Sequence, residues 1–464
     1  MKNLIRIIGL VGAAMGIFFT FSSVFAAPNN IVTSHPGKIS KPSVNGAYFV
    51  SFGDNLSRSD IAKLIRSVGG KVKYNYRHQN VVAAYIPFEN IDLIQSAGSV
   101  TDVVPDRLIN AIGKPEGKGG KPPKDTSGQV TTEGVVRIGA DLVSYTGAGV
   151  GVAIVDTGID SLHTDLNVSP ECFAASAYTT CDDDNGHGTH VGGIVAALDN
   201  SADVVGVAPD ATLYSVKVLD ATGSGYDSHI VEGLEWIQDV SDGLDGDDVY
   251  PPIRVVNMSL GRQGNLNDSS PLRTAISNLT DLGISIVVAA GNNPSLEVSQ
   301  NVPATYPEVM AVASTTAING SNKCRSLRGY KIKTDTASYF STDGAYDEVT
   351  GIGVTISAPG ENKEDISGGC FIQAEGILST KLGGGTTRMY GTSMASPHVA
   401  GAVAVMWSKA LDLGLLLDPE FVKATIRSTA ELSGLTPIDS PSNWYTFDGE
   451  REGIMSVPNA LSAF

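Results

Sequence analysis

Basic residues are scarce in most of this chain of 464 residues, which has a net charge of −17. Residues 127–464 carry 17 Lys and Arg against 41 Asp and Glu, a net charge of −24, whereas residues 1–26 and 27–126 carry +2 and +5. An acidic body of this kind repels nucleic acid and anionic membrane surfaces, and it is compatible with bound cations. We therefore expect no nucleic-acid partner and no stable membrane association.

Long apolar runs are also missing after the first 26 residues, which excludes a later membrane span. The first segment has Lys2 and Arg6, then an apolar run over residues 7–21, then a small-residue pattern that ends at Ala26. This order predicts a secretory signal peptide over residues 1–26, and a retained membrane anchor is the alternative. With the signal peptide, the protein is exported to the extracellular space or the periplasm.

Cysteine is rare: the chain has four, all after residue 170. Export permits disulfides, and an even count leaves no cysteine over. We favour a short loop closed by Cys172 and Cys181, which leaves Cys324 to pair with Cys370, while two of the three possible pairings contradict this choice. Free buried thiols are the alternative.

Glycine, by contrast, is abundant, with 52 residues in a chain whose hydrophobic content is 42%. This composition fits a globular protein rich in tight turns and excludes a disordered chain or a coiled coil. The length exceeds the usual size of a single core by roughly a factor of two, so at least two folded units are expected.

Residues 46–106 have the pattern of a small separate domain. Period-2 and period-3.6 apolar patterns alternate there in the order βαββαβ. The segments are a strand at 48–52, a helix with Ile61, Leu64, Ile65 and Val68 on one face, strands at 71–76 and 81–87, a helix with Ile91 and Ile94, and a strand at 100–104. This order predicts an α+β domain of ferredoxin-like topology.

A stretch rich in Gly, Lys and Pro follows over Ala111–Gln129 and predicts an exposed linker. Part of it, Gly117–Lys121, is glycine-rich, but it lacks the Gly-Lys-Ser/Thr ending and the flanking strand and helix of a phosphate-binding loop. The stretch is therefore expected to be a linker rather than a nucleotide site.

Beyond the linker, short apolar runs alternate with amphipathic segments, a pattern typical of buried parallel strands joined by helices. The predicted strands are 151–155, 213–219, 253–258, 284–290, 309–313 and 354–358, and the predicted helices include 187–198, 227–238 and 393–409. A three-layer α/β sandwich with a mostly parallel central sheet follows. Asp156, Ser259 and Asn292 lie at or just beyond strand ends, where such sheets bind ligands.

Three short motifs occur in one order: Val155-Asp156-Thr157-Gly158, Asn185-Gly186-His187-Gly188-Thr189-His190 and Gly391-Thr392-Ser393-Met394-Ala395-Ser396-Pro397. They supply a carboxylate, an imidazole base and a hydroxyl at a helix start, the three parts of one nucleophilic device. The order and the surrounding small residues resemble those of the subtilisin-type serine proteases, the subtilases. The resemblance extends over about residues 126–404.

The resemblance implies a secreted serine endopeptidase that works through an acyl-enzyme. Ser393 is then the nucleophile, and His187 takes its proton and returns it to the leaving amine. Asp156 holds the tautomer of His187, and His190 is structural. In Ala289-Ala290-Gly291-Asn292, the family's oxyanion motif, Asn292 donates to the oxygen that becomes negative.

The family also implies a cleft in which the substrate docks as an added strand. Its two walls correspond to Ser259-Leu260-Gly261 and Gly223-Ser224-Gly225. Asn301 takes the place of the family's glycine at the base of the main specificity pocket, which would shorten or polarise that pocket. The choice between restricted processing and broad digestion stays open.

A structural Ca²⁺ site is implied by the loop over residues 198–204, which has the length of the family's high-affinity loop. Its all-oxygen ligands suit a hard cation: the side chains of Asp165 and Asn200 and the carbonyls of Leu198, Ala202 and Val204, with Gln129 as a further contributor. An acidic surface turn is the alternative. No organic cofactor is expected.

By the same resemblance, the domain after the signal peptide is an inhibitory propeptide that assists folding and is cut off by the enzyme itself, somewhere within the linker Ala111–Gln129; an unrelated accessory domain is the alternative. The expected divisions are 1–26, 27–125 with the linker from about 111, and 126–464. The partners are then protein or peptide substrates and the protein's own propeptide, and a monomer is expected. Residues 320–347 and 361–385 are insertions relative to the family.

Two rival classes of protein fit these motifs less well. A hydrolase with Gly-x-Ser-x-Gly after a strand is excluded, because the residue after Met394 is Ala395 and the order of the motifs differs. A catalytically silent binding protein would be free to lose Ser393, His187 or Asn292, yet all three are present.

Overall fold

The structure is a computed structural model that describes residues 45–53, 56–115, 128–243, 251–266, 268, 271–431 and 452–464. The described residues all belong to one compact unit. The predicted signal peptide and the linker residues 116–127 lie outside the described residues.

The N-terminal part folds as a four-stranded antiparallel sheet with two helices on it, in the predicted order βαββαβ. Its elements are β1 (Asn45–Phe52), α1 (Arg58–Ser67), β2 (Lys71–Asn75), β3 (Val81–Pro87), α2 (Ile91–Gln95) and β4 (Val100–Pro105), and the strand order is β2-β3-β1-β4. Helix α1 begins after Ser57, whose hydroxyl accepts from the backbone N–H of Asp60, and it buries Ile61 and Ile65.

Two short strands follow directly: β5 (Leu108–Ala111) and β6 (Lys114–Pro115). The prediction of an exposed linker from Ala111 was therefore wrong for its first five residues. These residues obtain their backbone hydrogen bonds from strands far away in the sequence, which a local pattern does not reveal.

A seven-stranded sheet forms the centre of the larger part, and every neighbouring pair in it is parallel. In spatial order it contains β18 (Ile356–Glu361), β17 (Met310–Thr316), β15 (Ser285–Ala289), β13 (Ile253–Met258), β8 (Gly151–Asp156), β11 (Thr212–Lys217) and β9 (Phe173–Ala174). All six predicted strands are among them, and the short β9 is the addition.

Helices cover both faces of this sheet, as predicted. Alternate residues of β8 point to opposite sides, so Val152 and Ile154 pack with α4 (His187–Ala196) and α7 (Thr392–Asp412). Ala153 and Val155 pack with α5 (Asp227–Gly243) and α6 (Pro271–Asp281). The remaining helices are α3 (Glu133–Arg137), α8 (Pro419–Ser428) and α9 (Val457–Ser462).

The remaining short strands form smaller sheets outside the central one. They are β7 (Val130–Thr131), β10 (Val204–Val205), β12 (Ser224–Tyr226), β14 (Leu260–Gln263), β16 (Asn301–Val302), β19 (Lys363–Ile366), β20 (Ile372–Glu375), β21 (Ile377–Thr380) and β22 (Thr386–Tyr390). Among the described residues, no helix is both long enough and apolar enough to cross a membrane.

The two disulfides join Cys172 to Cys181 and Cys324 to Cys370, the pairing preferred from the sequence. The second one links the two insertions and lies against a small hydrophobic cluster with Ile332 and Ile366. The insertions are therefore fastened to each other rather than loose.

Candidate active site

Three elements bring the predicted carboxylate, imidazole and hydroxyl to one edge of the sheet. Asp156 is the last residue of β8, His187 is the first of α4, and Ser393 is the second of α7. All three side chains are buried. The carboxyl ends of parallel strands and the starts of the following helices meet at this edge, which explains the convergence.

The imidazole of His187 is fixed by the carboxylate. Its Nδ1 lies 2.8 and 2.9 Å from the two carboxylate oxygens of Asp156, and the N–H of Thr157 donates to the same carboxylate at 2.7 Å. Burial alone lowers the pKa of His187, but the charge and hydrogen bond of Asp156 raise it above its usual value. The proton therefore stays on Nδ1 and leaves Nε2 able to accept one.

A carboxylate that the sequence analysis missed organises the histidine motif. The buried Asp183 accepts from the N–H and hydroxyl of Thr189, at 3.0 and 2.6 Å, and from the N–H of Gly186 at 2.9 Å. It also accepts from the hydroxyl of Thr157 at 2.9 Å. Its position two residues before Asn185 was the available signal, since an aspartate in that place can satisfy the free N–H groups of a helix start.

The hydroxyl of Ser393 donates to the carbonyl oxygen of Ser259 at 3.1 Å. His187 Nε2 is buried and has no hydrogen-bond partner among the described residues. The chain at Gly113 lies against this nitrogen, because a Cβ added to Gly113 would come within 2.5 Å of it. Serine and histidine thus face a segment of the protein's own backbone.

Asn292 lies beside the same segment, just beyond β15. Its side-chain N–H₂ donates to the carbonyl oxygen of Ile112. Its own carbonyl oxygen accepts from the N–H and the hydroxyl of Thr392, at 2.9 and 3.0 Å, which fixes the orientation of the amide. Two donors from α7 therefore aim Asn292 at a peptide carbonyl.

The predicted walls of the cleft hold strand β5 between them. Strand β12 pairs antiparallel with β5 on one side and β14 pairs antiparallel with it on the other. The pairs include Ser224 with Asn110, Gly225 with Ile109, Leu260 with Ala111 and Gly261 with Asn110, while the carbonyls of Gly223 and Ser259 accept from Ala111 and Ile112 at 2.8 and 3.2 Å. An extended segment is thus bound through main-chain atoms.

Asn301 lies in β16 and contacts the segment that leads to Asn292. Its side-chain N–H₂ donates to the carbonyl of Ala290 at 3.1 Å and to the hydroxyl of Thr342 at 3.4 Å. The assignment of Asn301 to the base of the specificity pocket stays a prediction.

His190, predicted to be structural, donates its Nε2–H to the carbonyl oxygen of Ile377 at 3.1 Å. Burial lowers its pKa to about 3, so it stays neutral at physiological pH. A buried neutral imidazole of this kind holds α4 to β21.

The proposed calcium ligands lie around one loop. Asp165 is fully buried, and its Oδ1 has no hydrogen-bond partner among the described residues, while Oδ2 accepts from the N–H of Val204 at 3.2 Å. The side-chain N–H₂ of Gln129 donates to the carbonyl oxygens of both Leu198 and Val204, and the distance to the Val204 oxygen is 3.0 Å. Burial raises the pKa of Asp165 to about 7.

This set of oxygens fits a hard cation. A buried carboxylate oxygen without a partner needs a positive charge, and two carbonyls already converge on the positive end of an amide dipole. Asn200, by contrast, uses its side-chain oxygen to accept from the N–H of Ala202 at 2.9 Å.

The N-terminal sheet contacts the start of α5. Asp106, at its end, accepts from the N–H and hydroxyl of Ser228 at 2.9 and 2.6 Å, and Lys73 lies 3.2 Å from Asp106. Farther along the helix, Glu235 accepts from the backbone N–H groups of Arg77 and His78 at 3.0 and 2.9 Å. Polar and charged groups on both sides therefore join the small sheet to the helix.

Comparison with known proteins gives consistent matches. The model of the subtilase family matches residues 147–450. Subtilisin E of Bacillus subtilis (strain 168) is 33% identical over 428 residues, which cover 90% of this chain and 92% of that protein. Subtilisin DY of Bacillus licheniformis is 40% identical over 287 residues, covering 61% of this chain and 86% of that protein.

Among solved structures, fervidolysin from Fervidobacterium pennivorans, a keratinolytic enzyme related to subtilisin, superposes with a TM-score of 0.63 at 23% identity. The match covers 90% of this chain and 61% of that chain. At this identity the likeness concerns the fold alone, and it agrees with the predicted three-layer sandwich.

Proposed function

Because the chain belongs to the subtilase family and is a serine endopeptidase, we propose that Asp156, His187 and Ser393 form its catalytic triad and that it is exported as a precursor. The observation that carries the proposal is the pair of contacts at 2.8 and 2.9 Å between His187 and the buried Asp156. These contacts leave Nε2 facing the segment bound in the cleft.

In the proposed mechanism Ser393 Oγ attacks the carbonyl carbon of the bound peptide while His187 Nε2 takes its proton. Asp156 stabilises the imidazolium that forms and does not itself take the proton. The proton then passes to the departing amine, and an acyl-enzyme remains on Ser393. Water resolves this ester by the same steps, which regenerates the hydroxyl.

Asn292 stabilises the tetrahedral intermediate of this mechanism. Its amide donates to the peptide oxygen, and the donation strengthens when that oxygen becomes negative. The contacts with Thr392 keep the amide oriented before the reaction, so no reorganisation is needed at the moment of attack.

The test of the triad is the Ser393→Ala variant of the full chain. We expect it to remain a full-length precursor and to hydrolyse no casein, whereas the control Ser408→Ala, on the same helix, behaves as the wild type. Casein hydrolysis by Ser393→Ala would refute the assigned nucleophile, and normal maturation of this variant would refute self-processing.

The region after the signal peptide acts, in this proposal, as an intramolecular inhibitor. Support comes from the contacts of Asp106 and Lys73 with the start of α5 and from the paired β5 in the cleft. The leader pattern and the two disulfides support export.

Calcium belongs to the proposed function as a structural ion held by Asp165 and by the carbonyls of Leu198 and Val204. A bound ion stabilises the fold by mass action, by about 2.7 kcal/mol at a concentration about a hundredfold above Kd. In the inactive Ser393→Ala background, a chelator should lower Tm. The variant Asp165→Asn should lose this dependence, and Asp199→Asn, exposed on the same loop, should keep it. An equal chelator effect on Asp165→Asn would contradict the site.

A further inference from the structure

We infer that the protein matures by cutting its own peptide bond between Ile112 and Gly113, an inference that rests on the proposed function. From the sequence, the cut is expected somewhere within Ala111–Gln129. The contacts of the described residues now single out one bond, because the groups that attack, stabilise and protonate all meet at it.

The carbonyl side of this bond is held where the nucleophile lies. The N–H of Ile112 and the hydroxyl of Ser393 donate to the same oxygen, the carbonyl of Ser259, at 3.2 and 3.1 Å. The carbonyl oxygen of Ile112 accepts from the side chain of Asn292. The N–H and the carbonyl oxygen of Ile112 are therefore both held, and its carbonyl carbon faces Ser393 as the carbonyl carbon of a substrate would.

The amine side of the bond is held against the imidazole. A Cβ on Gly113 would lie 2.5 Å from Nε2 of His187 and 2.7 Å from its Cδ2. Two contacts with Asp156 hold that ring, so it cannot move aside cheaply. Glycine after the cut is thus a requirement of this geometry, and it places the leaving nitrogen beside the group that must protonate it.

Register excludes the neighbouring bonds. The side chain of Ile109 is completely buried in the hydrophobic cluster that contains Leu219 and Leu260, whereas Asn110 and Leu108 are exposed. A shift of β5 by one residue would exchange these faces and bury Asn110 in place of Ile109. On the other side of the cut, β6 pairs with β22. Strand pairing on both sides therefore fixes which bond faces the reacting groups.

The self-cleavage is an acyl transfer to Ser393 followed by hydrolysis of the acyl-enzyme. A bond forms between Ser393 Oγ and the carbonyl carbon of Ile112, and the bond from that carbon to the nitrogen of Gly113 breaks. The serine proton passes through His187 to this nitrogen, which becomes the new terminal amine. Water then releases Ile112 as a carboxylate. The propeptide ends at Ile112, and the predicted boundary at residues 125–126 moves to this position.

The experiment follows conversion of the full wild-type precursor by intact mass spectrometry, from the earliest time points. We expect a small fragment that ends at Ile112 and a large one that begins at Gly113. In the variant Gly113→Ala, conversion should be about a hundredfold slower, the cost of displacing reacting atoms by about 1 Å. The control Gly98→Ala adds its methyl group where no atom lies within 4 Å and should convert at the wild-type rate.

The outcomes separate this inference from the proposed function. Casein hydrolysis together with a first fragment that ends elsewhere, or conversion of Gly113→Ala at the wild-type rate, overturns the inference alone. A chain that stays uncut and inert overturns both. A melting curve of Gly113→Ala, compared with that of Gly98→Ala, ensures that slow conversion is not simply misfolding.

Discussion

The substitution Asn292→Ala removes the donor that faces the peptide carbonyl, and its effect should fall on kcat. In the enzyme–substrate complex the peptide carbonyl is neutral, and a hydrogen bond from Asn292 to it contributes about 0.5–1.5 kcal/mol to binding. Toward the negative oxygen of the tetrahedral intermediate the loss is larger, and in a subtilisin whose oxyanion asparagine was replaced it reached about 2.7–4 kcal/mol, or 10²–10³ in kcat. We expect a loss of that size here, with KM nearly unchanged.

The same variant should also lose some stability. The N–H and the hydroxyl of the buried Thr392 both donate to the side-chain oxygen of Asn292. Truncation of Asn292 to alanine therefore leaves these two donors without their acceptor. The cost is about 1–3 kcal/mol for each group that finds no other partner. Steady-state hydrolysis of a chromogenic peptide separates kcat from KM, and the exposed neighbour Asn293→Ala is the control. A kcat within threefold of wild type, or a loss confined to KM, would refute the role of Asn292.

Three further results are expected. The value of kcat/KM should fall as the pH drops through the raised pKa of His187, with the slope expected for uptake of one proton, because the imidazolium cannot accept the serine proton. A flat kcat/KM profile down to pH 5 would contradict this. Burial raises the pKa of Glu364 from its ordinary value of 4.5 to about 7, so the chain loses stability as the pH rises from the lower value to the higher one, where the unfolded chain has released the proton and the folded chain still holds it. Glu364→Gln should therefore stabilise the chain, by roughly 3 kcal/mol, at pH 8.5 but not at pH 4 in urea unfolding, and an equal effect at both would refute the reasoning. Replacing Cys324 and Cys370 by serine, which opens a separation of 46 residues, should cost about 4 kcal/mol, more than the about 3 kcal/mol expected for the other disulfide with its separation of 9, and the reverse order would count against the chain-entropy explanation.

The central sheet was predictable because its strands are buried on both faces and so read as continuous apolar runs. Residues 253–258 show this best, since prediction and structure agree on both ends. The helix ends were harder: α5 runs to Gly243, five residues beyond the predicted end, and Val240 in this extension still packs against the hydrophobic core.

The cleft segment shows where sequence reasoning fails. Ala111 and Gly113 are small residues of the kind found in linkers, yet the backbone N–H groups of Ala111 and Ile112 donate to Gly223 and Ser259 of the two walls. A bound strand takes its hydrogen bonds from its partner and needs small side chains where the backbone approaches closely, so its composition imitates that of a loop. Asp183 was missed for a related reason, since its role depends on partners that only the folded motif brings together.

The most direct test of the central claim is covalent labelling by a fluorophosphonate, followed by mass mapping of the modified peptide. The account predicts one added group per mature chain, on Ser393, with loss of casein hydrolysis in proportion to labelling. His187→Ala should not be labelled. A label on another residue, or full hydrolysis by a chain that takes up no label, would contradict the account.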